Sequence, residues 1–249
     1  MANEIMTLAP NQVVLPSSND VGELLAELAD IGEDLELGRV KLAASGMPIF
    51  EIIEMGADES DTAKSIDAVI LFYQKQNVRW PEDASVGGQL PICRSNDGIR
   101  GYDQDGMTFD CATCPMNQFG SAPGGGKGCK NTVVLYLLRP ADGERQADLL
   151  PLKLQLPATS IQAWNRYRTA LAMRGVKMSA AVTQLSVKKV SNKAGVAYGE
   201  AVFKLQGKLP VELANDMTAY AEAFKQQVMP KPGVPHGFTQ VEAEEDSPF

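Results

Sequence analysis

Residues 93–129 read CRSNDGIRGYDQDGMTFDCATCPMNQFGSAPGGGKGC and contain all four cysteines of the chain. Cys111 and Cys114 form a Cys-x-x-Cys pair, which a tight turn places on one side of a tetrahedral metal ion. Seventeen residues separate Cys93 from this pair, and fourteen separate the pair from Cys129. Four thiolates fill the coordination shell and leave no position for a reacting water. The spacing therefore predicts one structural Zn²⁺ site with four cysteine ligands.

The composition around the cysteines supports a metal site. Residues 81–130 are rich in Gly, Asp, Ser and Asn and have little apolar periodicity, so burial alone would not fold them. A metal ion supplies the missing free energy, and the glycines let the backbone bend around it. Two disulfides, four unrelated thiols, an iron–sulfur cluster and a redox Cys-x-x-Cys pair are the alternatives. His236 lies in a Pro-rich tail and is interpreted as a solvated residue.

The overall composition is that of an ordinary soluble globular protein. The 249 residues are 44% hydrophobic and 22% charged, enough for one large domain or two small ones. The longest apolar run, residues 133–138, is far shorter than the roughly 20 residues that span a membrane. The first residues lack the pattern of a secretory signal. We therefore expect a cytoplasmic protein with no membrane partner, in a reducing compartment where cysteines bind metals more often than they form disulfides.

The sequence on both sides of the cysteines predicts strands and helices. Residues 66–80 are rich in β-branched and aromatic residues and stop before Pro81, which favours a long strand. Shorter strands are predicted at residues 39–43 and 49–53, and hairpins at residues 131–139 with 149–156 and 181–190 with 196–205. Helices are predicted at residues 21–31 with Asp20 as the cap, from Thr159 or Ser160 to residue 173 before Gly175, and at residues 211–228.

This order of elements predicts a mainly β protein with flanking helices, of the α+β class. Short antiparallel strands with one helix between two strand groups fit an OB-fold-like antiparallel barrel, here interrupted by a zinc-knuckle insertion. The predicted organisation is a lead-in and short helix at residues 1–36, a core at residues 37–229 with the insertion at residues 81–130, and a flexible Pro/Gly linker with an acidic tip at residues 230–249.

Aromatic and basic residues near the cysteines predict a surface for single-stranded nucleic acid. Aromatic rings stack on bases and cations follow phosphates, without reading the sequence. On a strand, Tyr73, Lys75 and Arg79 share one face. The candidate nucleic-acid contacts are Tyr73, Lys75, Arg79, Trp80, Arg94, Arg100, Tyr102, Phe119, Lys127, Lys130, Lys188 and Lys189. The alternatives are rings that pack on the metal knuckle and lysines on a solvated hairpin tip, and Trp164 is interpreted as a core residue.

The net charge of −8 hides an uneven distribution. Residues 1–80 carry 5 basic and 14 acidic side chains, whereas residues 151–240 carry 12 basic and 4 acidic ones. The last nine residues carry 4 acidic side chains and no basic one. Because the local field rather than the total charge steers a polyanion, the acidic total does not exclude nucleic acid.

The chain ends in the sequence EAEEDSPF, residues 242–249. A partner could hold such a tip with an apolar slot for the ring and basic residues for the carboxylates. This ending resembles the acidic tip of bacterial single-stranded DNA-binding proteins, which finishes Asp-x-Pro-Phe and recruits replication and repair enzymes. The resemblance implies a partner-binding tip, and the alternative is a solvated tail. The tip residues are Glu244, Glu245, Asp246, Pro248 and Phe249.

A looser resemblance covers residues 66–206. The motifs Cys93-Arg94-Ser95-Asn96-Asp97-Gly98, Cys111-x-x-Cys114-Pro115, Phe119-Gly120-Ser121 and Gly126-Lys127-Gly128-Cys129 look like those of single-stranded DNA-binding proteins of phages and mobile elements. In those proteins a zinc knuckle interrupts an OB-like core. Some phage helix-destabilising proteins use a histidine among the zinc ligands, whereas this chain offers only cysteines. Their detailed DNA contacts are therefore not transferred to this sequence.

Together these features predict a non-enzymatic protein that coats single-stranded DNA during replication, recombination and repair and recruits partner proteins through its tip. A zinc-ribbon adaptor that binds proteins without holding nucleic acid is the alternative. A metal-dependent or nucleolytic enzyme is disfavoured, because no Walker loop, Ser-His-Asp set or HExxH motif occurs. The acidic residues near the cysteines are interpreted as part of a polar loop rather than as ligands of catalytic metal ions. They are Asp97, Asp103, Asp105 and Asp110. A homo-oligomer is possible on this sequence.

Overall fold

The computed structural model describes residues 5–29, 31, 35–43, 46–57, 59–81, 90–143, 145–192 and 195–229. These residues form eleven strands and three α-helices. The strands are β1 (Arg39–Leu42), β2 (Phe50–Ile53), β3 (Asp61–Ala63), β4 (Ser65–Arg79), β5 (Cys93–Ser95), β6 (Arg100–Asp103), β7 (Thr108–Asp110), β8 (Lys130–Leu138), β9 (Leu152–Leu156), β10 (Ala181–Ser191) and β11 (Ala197–Lys208). The helices are α1 (Ser18–Glu27), α2 (Ala158–Met173) and α3 (Val211–Val228).

The chain divides into two compact units. The larger unit comprises Met1–Tyr73 and Leu135–Met229. The second, here called the cysteine unit, comprises Gln74–Val134 and holds all four cysteines. The predicted insertion, residues 81–130, falls inside the cysteine unit. The predicted linker and tip and His236 lie outside the described residues.

The predicted long strand, both hairpins and all three helices are present, with differences at their ends. Helix α1 ends before the predicted residue 31, because hydrogen bonds such as Ile31 N to Leu28 O tighten its last turn. The cap prediction is also wrong, because Ser17 is the N-cap and its Oγ donates to Asp20 Oδ2 at 2.7 Å. Strand β9 starts after Pro151, which has no N–H to donate to a neighbouring strand.

Helix α2 starts earlier than predicted. Its N-cap is Pro157 rather than Thr159 or Ser160, and the Ser160 hydroxyl instead accepts a hydrogen bond of 3.0 Å from Ala201 N. The predicted C-terminal glycine is confirmed, since Gly175 has φ 64° and its N–H donates to Ala172 O at 3.0 Å.

The strands form one large open mixed sheet. Its order is β3-β2-β1-β9-β8-β4-β5-β6-β7, and β10 pairs with both β4 and β11. The α+β, mainly β class is confirmed, but the prediction of purely antiparallel strands is wrong because β1 and β9 pair in parallel. The long chain between these strands allows a parallel crossover, which a short hairpin would not. Strand β11 also returns towards β1, since a Cβ on Gly199 would lie 3.6 Å from Leu42 Cδ2.

Aromatic side chains form the core of the larger unit. Residues 68–72 of β4 are all buried, so the expected alternation of core and surface positions does not hold there. Phe72 stacks on Tyr136 with the ring centroids 4.1 Å apart, and Phe224 of α3 contacts both rings. Trp164 of α2 is fully buried and contacts Tyr73 and other rings, which confirms its interpretation as core. Each such ring contributes about 1.5–3 kcal/mol by burial.

A buried ion network joins the loop after β8 to the loop after β2. The Arg139 side chain is 9% exposed, and its guanidinium donates to Asp148 at 2.8 Å and 2.9 Å and to Glu54 at 2.6 Å. Burial acts to lower the pKa of Arg139, but the hydrogen bonds to Asp148 and Glu54 outweigh it and the pKa is raised. Arg139 therefore stays charged inside the protein.

We predict that Arg139→Met lowers the free energy of unfolding by about 3 kcal/mol, because it leaves the Asp148 carboxylate buried without its main partner. Urea denaturation of the full chain measures the change. The control is Arg145→Met. The Arg145 side chain is 35% exposed and its Nη1 lies 3.3 Å from Asp148 Oδ1, so the free energy of unfolding should fall by only about 1 kcal/mol. Equal losses in the two variants would contradict the assignment.

Candidate metal centre and nucleic-acid interface

A small antiparallel sheet forms the framework of the cysteine unit. Residues 77–79 of β4 pair with β5, β5 pairs with β6, and β6 pairs with β7. The β5–β6 turn is closed by Asp97, whose Oδ1 accepts from Ile99 N at 2.7 Å and Arg100 N at 2.9 Å. Burial alone would raise the pKa of Asp97, but the backbone hydrogen bonds from Arg100 and Ile99 lower it. The ionised Asp97 side chain therefore stabilises the turn by accepting these backbone hydrogen bonds. This role agrees with the interpretation of the acidic residues as part of a polar loop.

The cysteines lie at the ends of these strands. Cys93 begins β5, Cys111 follows β7, Cys114 precedes the 3₁₀ turn Pro115–Asn117, and Cys129 precedes β8. None of the four forms a disulfide.

Backbone hydrogen bonds hold the cysteine loops in place. Cys111 N donates to Ile99 O at 2.8 Å, and Cys129 N donates to Met116 O at 2.8 Å. The Asn117 side chain donates to Cys111 O at 2.7 Å. These bonds hold the backbone on both sides of the Cys-x-x-Cys turn.

The cysteine unit has almost no apolar core of its own. Among its described residues, the buried hydrophobic side chains are Cys111, Cys129, Val133 and Val134. The larger unit, in contrast, buries more than twenty side chains of this kind. So small a buried area does not offset the conformational entropy of ordering the segment.

The thiols lie close enough to affect each other's ionisation. Burial raises the pKa of Cys93 to about 11, with further contributions from Cys111 and Cys114. Burial likewise raises the pKa of Cys129 to about 11, with contributions from the other three cysteines. With these raised pKa values the two thiols hold their protons at neutral pH. A metal ion that bound here would displace those protons.

Gly101 of β6 lies close to two of the cysteine sulfurs. A Cβ at this position would lie 2.8 Å from Cys93 Sγ and 3.7 Å from Cys111 Sγ. Any other residue would push Cys93 away, which is why β6 needs a glycine here. Across the described residues, however, no group of three or more His, Cys, Asp or Glu side chains has the arrangement of a metal site. The Zn²⁺ site therefore stays a prediction.

One face of this sheet carries three of the predicted nucleic-acid contacts. Arg94 of β5 lies opposite Tyr102 of β6, and Arg100 lies two residues before Tyr102 on the same strand. Opposite residues of antiparallel strands share a face, as do residues two apart, so all three side chains lie on one face. Asp110 of β7 lies opposite Arg100 on this same face. Tyr102 is half-buried and Arg100 is exposed, and Arg94 Nε donates to Asn96 Oδ1 at 2.9 Å.

The opposite face carries Cys93 and two other predicted contacts. Arg79 lies opposite Cys93, and Lys75 shares the face of Arg79 by alternation along β4. Lys75 is exposed and Arg79 is half-buried. The structure therefore separates the β4 cations from the Arg94–Tyr102 pair by placing them on the two faces of one sheet. Trp80, half-buried, directly follows β4, and Lys130, exposed, begins β8.

Phe119 and Lys127 form a second pair of ring and cation. Phe119 is 83% exposed, and Lys127 Nζ lies 5.2 Å from its ring centroid. Lys127 Nζ donates to Asn131 Oδ1 at 3.1 Å and to Asn117 Oδ1 at 3.4 Å. Asn131 Nδ2 in turn donates to Asn77 Oδ1 at 2.6 Å. The roles of Asn117 and Asn131 had no sequence signal, because these asparagines lie far apart along the chain and no spacing pattern connects them.

The remaining predicted contacts belong to the larger unit. Tyr73 contacts Trp164 with the ring centroids 5.6 Å apart, and the guanidinium of Arg168 lies 4.6 Å from its ring and donates to its hydroxyl. Lys188 Nζ lies 2.8 Å from Glu200 Oε1. Lys189 is exposed and pairs with Gly199 in the hairpin. The sequence did not single out Arg168, whose partner Tyr73 is 95 residues away.

The predicted partner-binding tip, Glu244, Glu245, Asp246, Pro248 and Phe249, lies outside the described residues. In the described part of the chain, no helix is both long enough and apolar enough to cross a bilayer. No protein-family model, curated protein or solved structure matches this chain.

Proposed function

We propose that this chain is a non-catalytic single-stranded DNA-binding protein whose cysteine unit holds a structural Zn²⁺ ion and contacts the strand. The observation that carries the proposal is the placement of Arg94 and Arg100 around Tyr102 on one sheet face. A half-buried ring flanked by two guanidinium groups can stack on a base while the cations bind phosphates. No base-edge reading is required, so the expected binding tolerates many sequences.

The donor set supports zinc as the structural ion. Four thiols suit Zn²⁺ in a closed tetrahedral site, and such a site contributes folding free energy rather than catalysis. The thin apolar core of the described cysteine unit supports the proposal, because a bound ion would add the folding free energy that burial does not supply. The residues that would hold it are Cys93, Cys111, Cys114 and Cys129.

Phe119 and Lys127 supply a further ring and cation for the strand. The ring is mostly exposed, and Lys127 is held next to it by asparagines, so both are positioned before a ligand arrives. We place Tyr73 and Lys188 outside the proposed interface, because α2 contacts the Tyr73 ring and Glu200 pairs with Lys188. We also leave Lys75 and Arg79 outside it, because they lie on the opposite face of the sheet, and Lys189, because it belongs to the larger unit. The other proposed contacts are Trp80 and Lys130.

The proposal also includes an OB-like barrel in the larger unit and a partner-binding tip. The return of β11 to β1 at Gly199 supports an OB-like barrel in the larger unit. The acidic tip at residues 244–249 is proposed to recruit replication, recombination and repair proteins, on the basis of its sequence and its resemblance to bacterial tips.

The zinc-ribbon adaptor is the second candidate, and the exposed apolar side chains Ile99 and Met107 favour it. An adaptor would keep the metal and the protein partner but would not bind an oligonucleotide. Direct titration with oligo-dT therefore distinguishes the two functions.

We expect the full chain to bind fluorescein-labelled oligo-dT of about 16 nucleotides, with an affinity that falls as salt rises. Arg94→Ala with Tyr102→Ala should weaken binding by about 2 kcal/mol or more, because a stacked ring and a phosphate contact are lost. Fluorescence polarisation measures the affinity, and Arg166→Ala on the exposed side of α2 is the control. Absence of oligo-dT binding would reject the proposal in favour of the adaptor.

We expect metal analysis of the purified full chain to find one Zn²⁺ per chain, and Cys111→Ser to lose it. Gly101→Ala should also lower zinc occupancy, because its Cβ would lie 2.8 Å from Cys93 Sγ. Gly126→Ala is the matched control, because a Cβ there meets nothing within 4 Å. Full zinc retention in Cys111→Ser would show that the four thiols are not the ligands.

Deleting residues 246–249 should leave oligo-dT affinity unchanged, because the proposed contacts lie in the cysteine unit. In a pull-down from bacterial extract, the intact chain should retain replication or repair proteins that the truncated chain loses. The same set of captured proteins from both chains would refute the role of the tip.

A further inference from the structure

Exposed apolar side chains surround the last strand of the cysteine unit. Phe109 of β7 is 39% exposed, Met107 just before β7 is 61% exposed, and Ile99 is 69% exposed. Ile99 lies across from the end of β7, since its O accepts from Cys111 N at 2.8 Å. In the described part of the chain, β6 is the sole strand that pairs with β7, which stands at the end of the strand order. One edge of β7 thus combines unpaired backbone with apolar side chains.

The charge at this edge is acidic. Residues 103–110 carry three carboxylates and no basic side chain. Asp103 Oδ1 accepts from Met107 N at 2.8 Å, and Asp110 Oδ1 accepts from Ala112 N at 2.8 Å, so these two also shape turns. Asp105 is exposed at the tip of the turn between β6 and β7. Arg100 of β6 lies opposite Asp110, but three carboxylates outnumber this one cation, so the field here is negative, which disfavours phosphates and favours cations.

This charge decides between the possible occupants of the edge. A nucleic-acid strand would bring phosphates against three carboxylates. A second copy of this chain would pair the same acidic segment with itself, and like charges that face each other across strands are destabilising. The chain's own tip is acidic as well. A partner segment with basic and apolar side chains is the one that fits both the charge and the exposed apolar groups.

We propose that the edge of β7 binds an extended segment of a partner protein in which basic and apolar side chains alternate. The segment would add a strand along Thr108–Asp110, with its apolar side chains against Phe109 and Met107 and its cations near Asp105. Because β7 is short, the backbone supplies few hydrogen bonds, and the side chains supply most of the affinity. Phe109 lies opposite Gly101, on the face that carries Cys93. The inference does not rest on nucleic-acid binding, since Arg94 and Tyr102 lie on the other face.

The test uses the full chain and a fluorescein-labelled peptide of about six residues that alternates lysine with valine, the usual length of a strand. We expect binding that weakens with salt, no binding of a peptide alternating glutamate with valine, and NMR amide shifts centred on residues 107–110. Asp105→Lys and Phe109→Ser should each weaken binding about tenfold or more. Asp67→Lys is the control, because it changes the net charge equally at an exposed carboxylate of β4 in the larger unit.

Four outcomes would overturn the proposal. The first two are that the lysine–valine peptide does not bind, or that Asp105→Lys and Asp67→Lys lower its affinity equally. The third is that the amide shifts are confined to residues 242–246. The fourth is that the protein sediments as a dimer and Phe109→Ser abolishes that dimer. If Phe109→Ser does not fold by near-ultraviolet circular dichroism, Asp105→Lys and the amide shifts decide, since Asp105 lies in an exposed turn. Oligo-dT affinity should be unchanged in Asp105→Lys, so failure of this edge is distinguishable from failure of strand binding.

Discussion

Scarce apolar packing is the constraint on which the cysteine unit depends, because its described residues bury few hydrophobic side chains around the four cysteines. Burial and the neighbouring thiols raise the pKa of Cys93 and of Cys129, so these two thiols stay protonated at neutral pH. The surrounding chain contributes turns, glycines and backbone hydrogen bonds rather than packed side chains. The proposed Zn²⁺ ion would displace the protons of these thiols, and its binding free energy would add to the free energy of folding. In the larger unit, by contrast, aromatic side chains of the helices pack against those of the strands.

A chain of amide side chains connects the cysteine loops to the exposed ring. Asn117 donates to Cys111 O and accepts from Asn131, which also donates to Asn77. Asn77 is buried, so each amide in this chain needs its partner to offset the loss of water. Lys127 is held at the end of the chain, next to Phe119. The position of a proposed contact with the strand is therefore coupled to the integrity of the cysteine loops.

The two faces of the small sheet have different chemistry because antiparallel pairing alternates side chains. One face carries Arg94, Arg100 and Tyr102, with Asp110 opposite Arg100, whereas the other face carries Cys93 and Phe109. Such a division lets one compact unit offer separate surfaces to a polyanion and to a protein. The proposed strand-binding protein and the alternative adaptor differ in which of these surfaces is used. A protein that coats a strand and recruits others would use both.

The sequence determined the elements whose signals are local. β-branched and aromatic content and the stop before Pro81 predicted β4, turn residues predicted the hairpins, and the Cys-x-x-Cys spacing singled out the four thiols. The strands β5, β6 and β7 were not predicted, because three or four residues without apolar alternation carry no periodic signal. Residues whose role depends on a distant partner, such as Arg139 with Glu54, also had no local signal.

Only the tertiary structure decided which side chains share a surface. Tyr73 was grouped with Lys75 and Arg79 by alternation along one strand, but its ring is covered by α2, which is distant in sequence. The pairing of Arg94 with Tyr102 depends on the register of two short strands, and a shift of one residue would move one of them to the opposite face. Strand register and helix docking are set by long-range packing. For that reason residue type and spacing identified the candidate chemistry, while the fold determined where it is displayed.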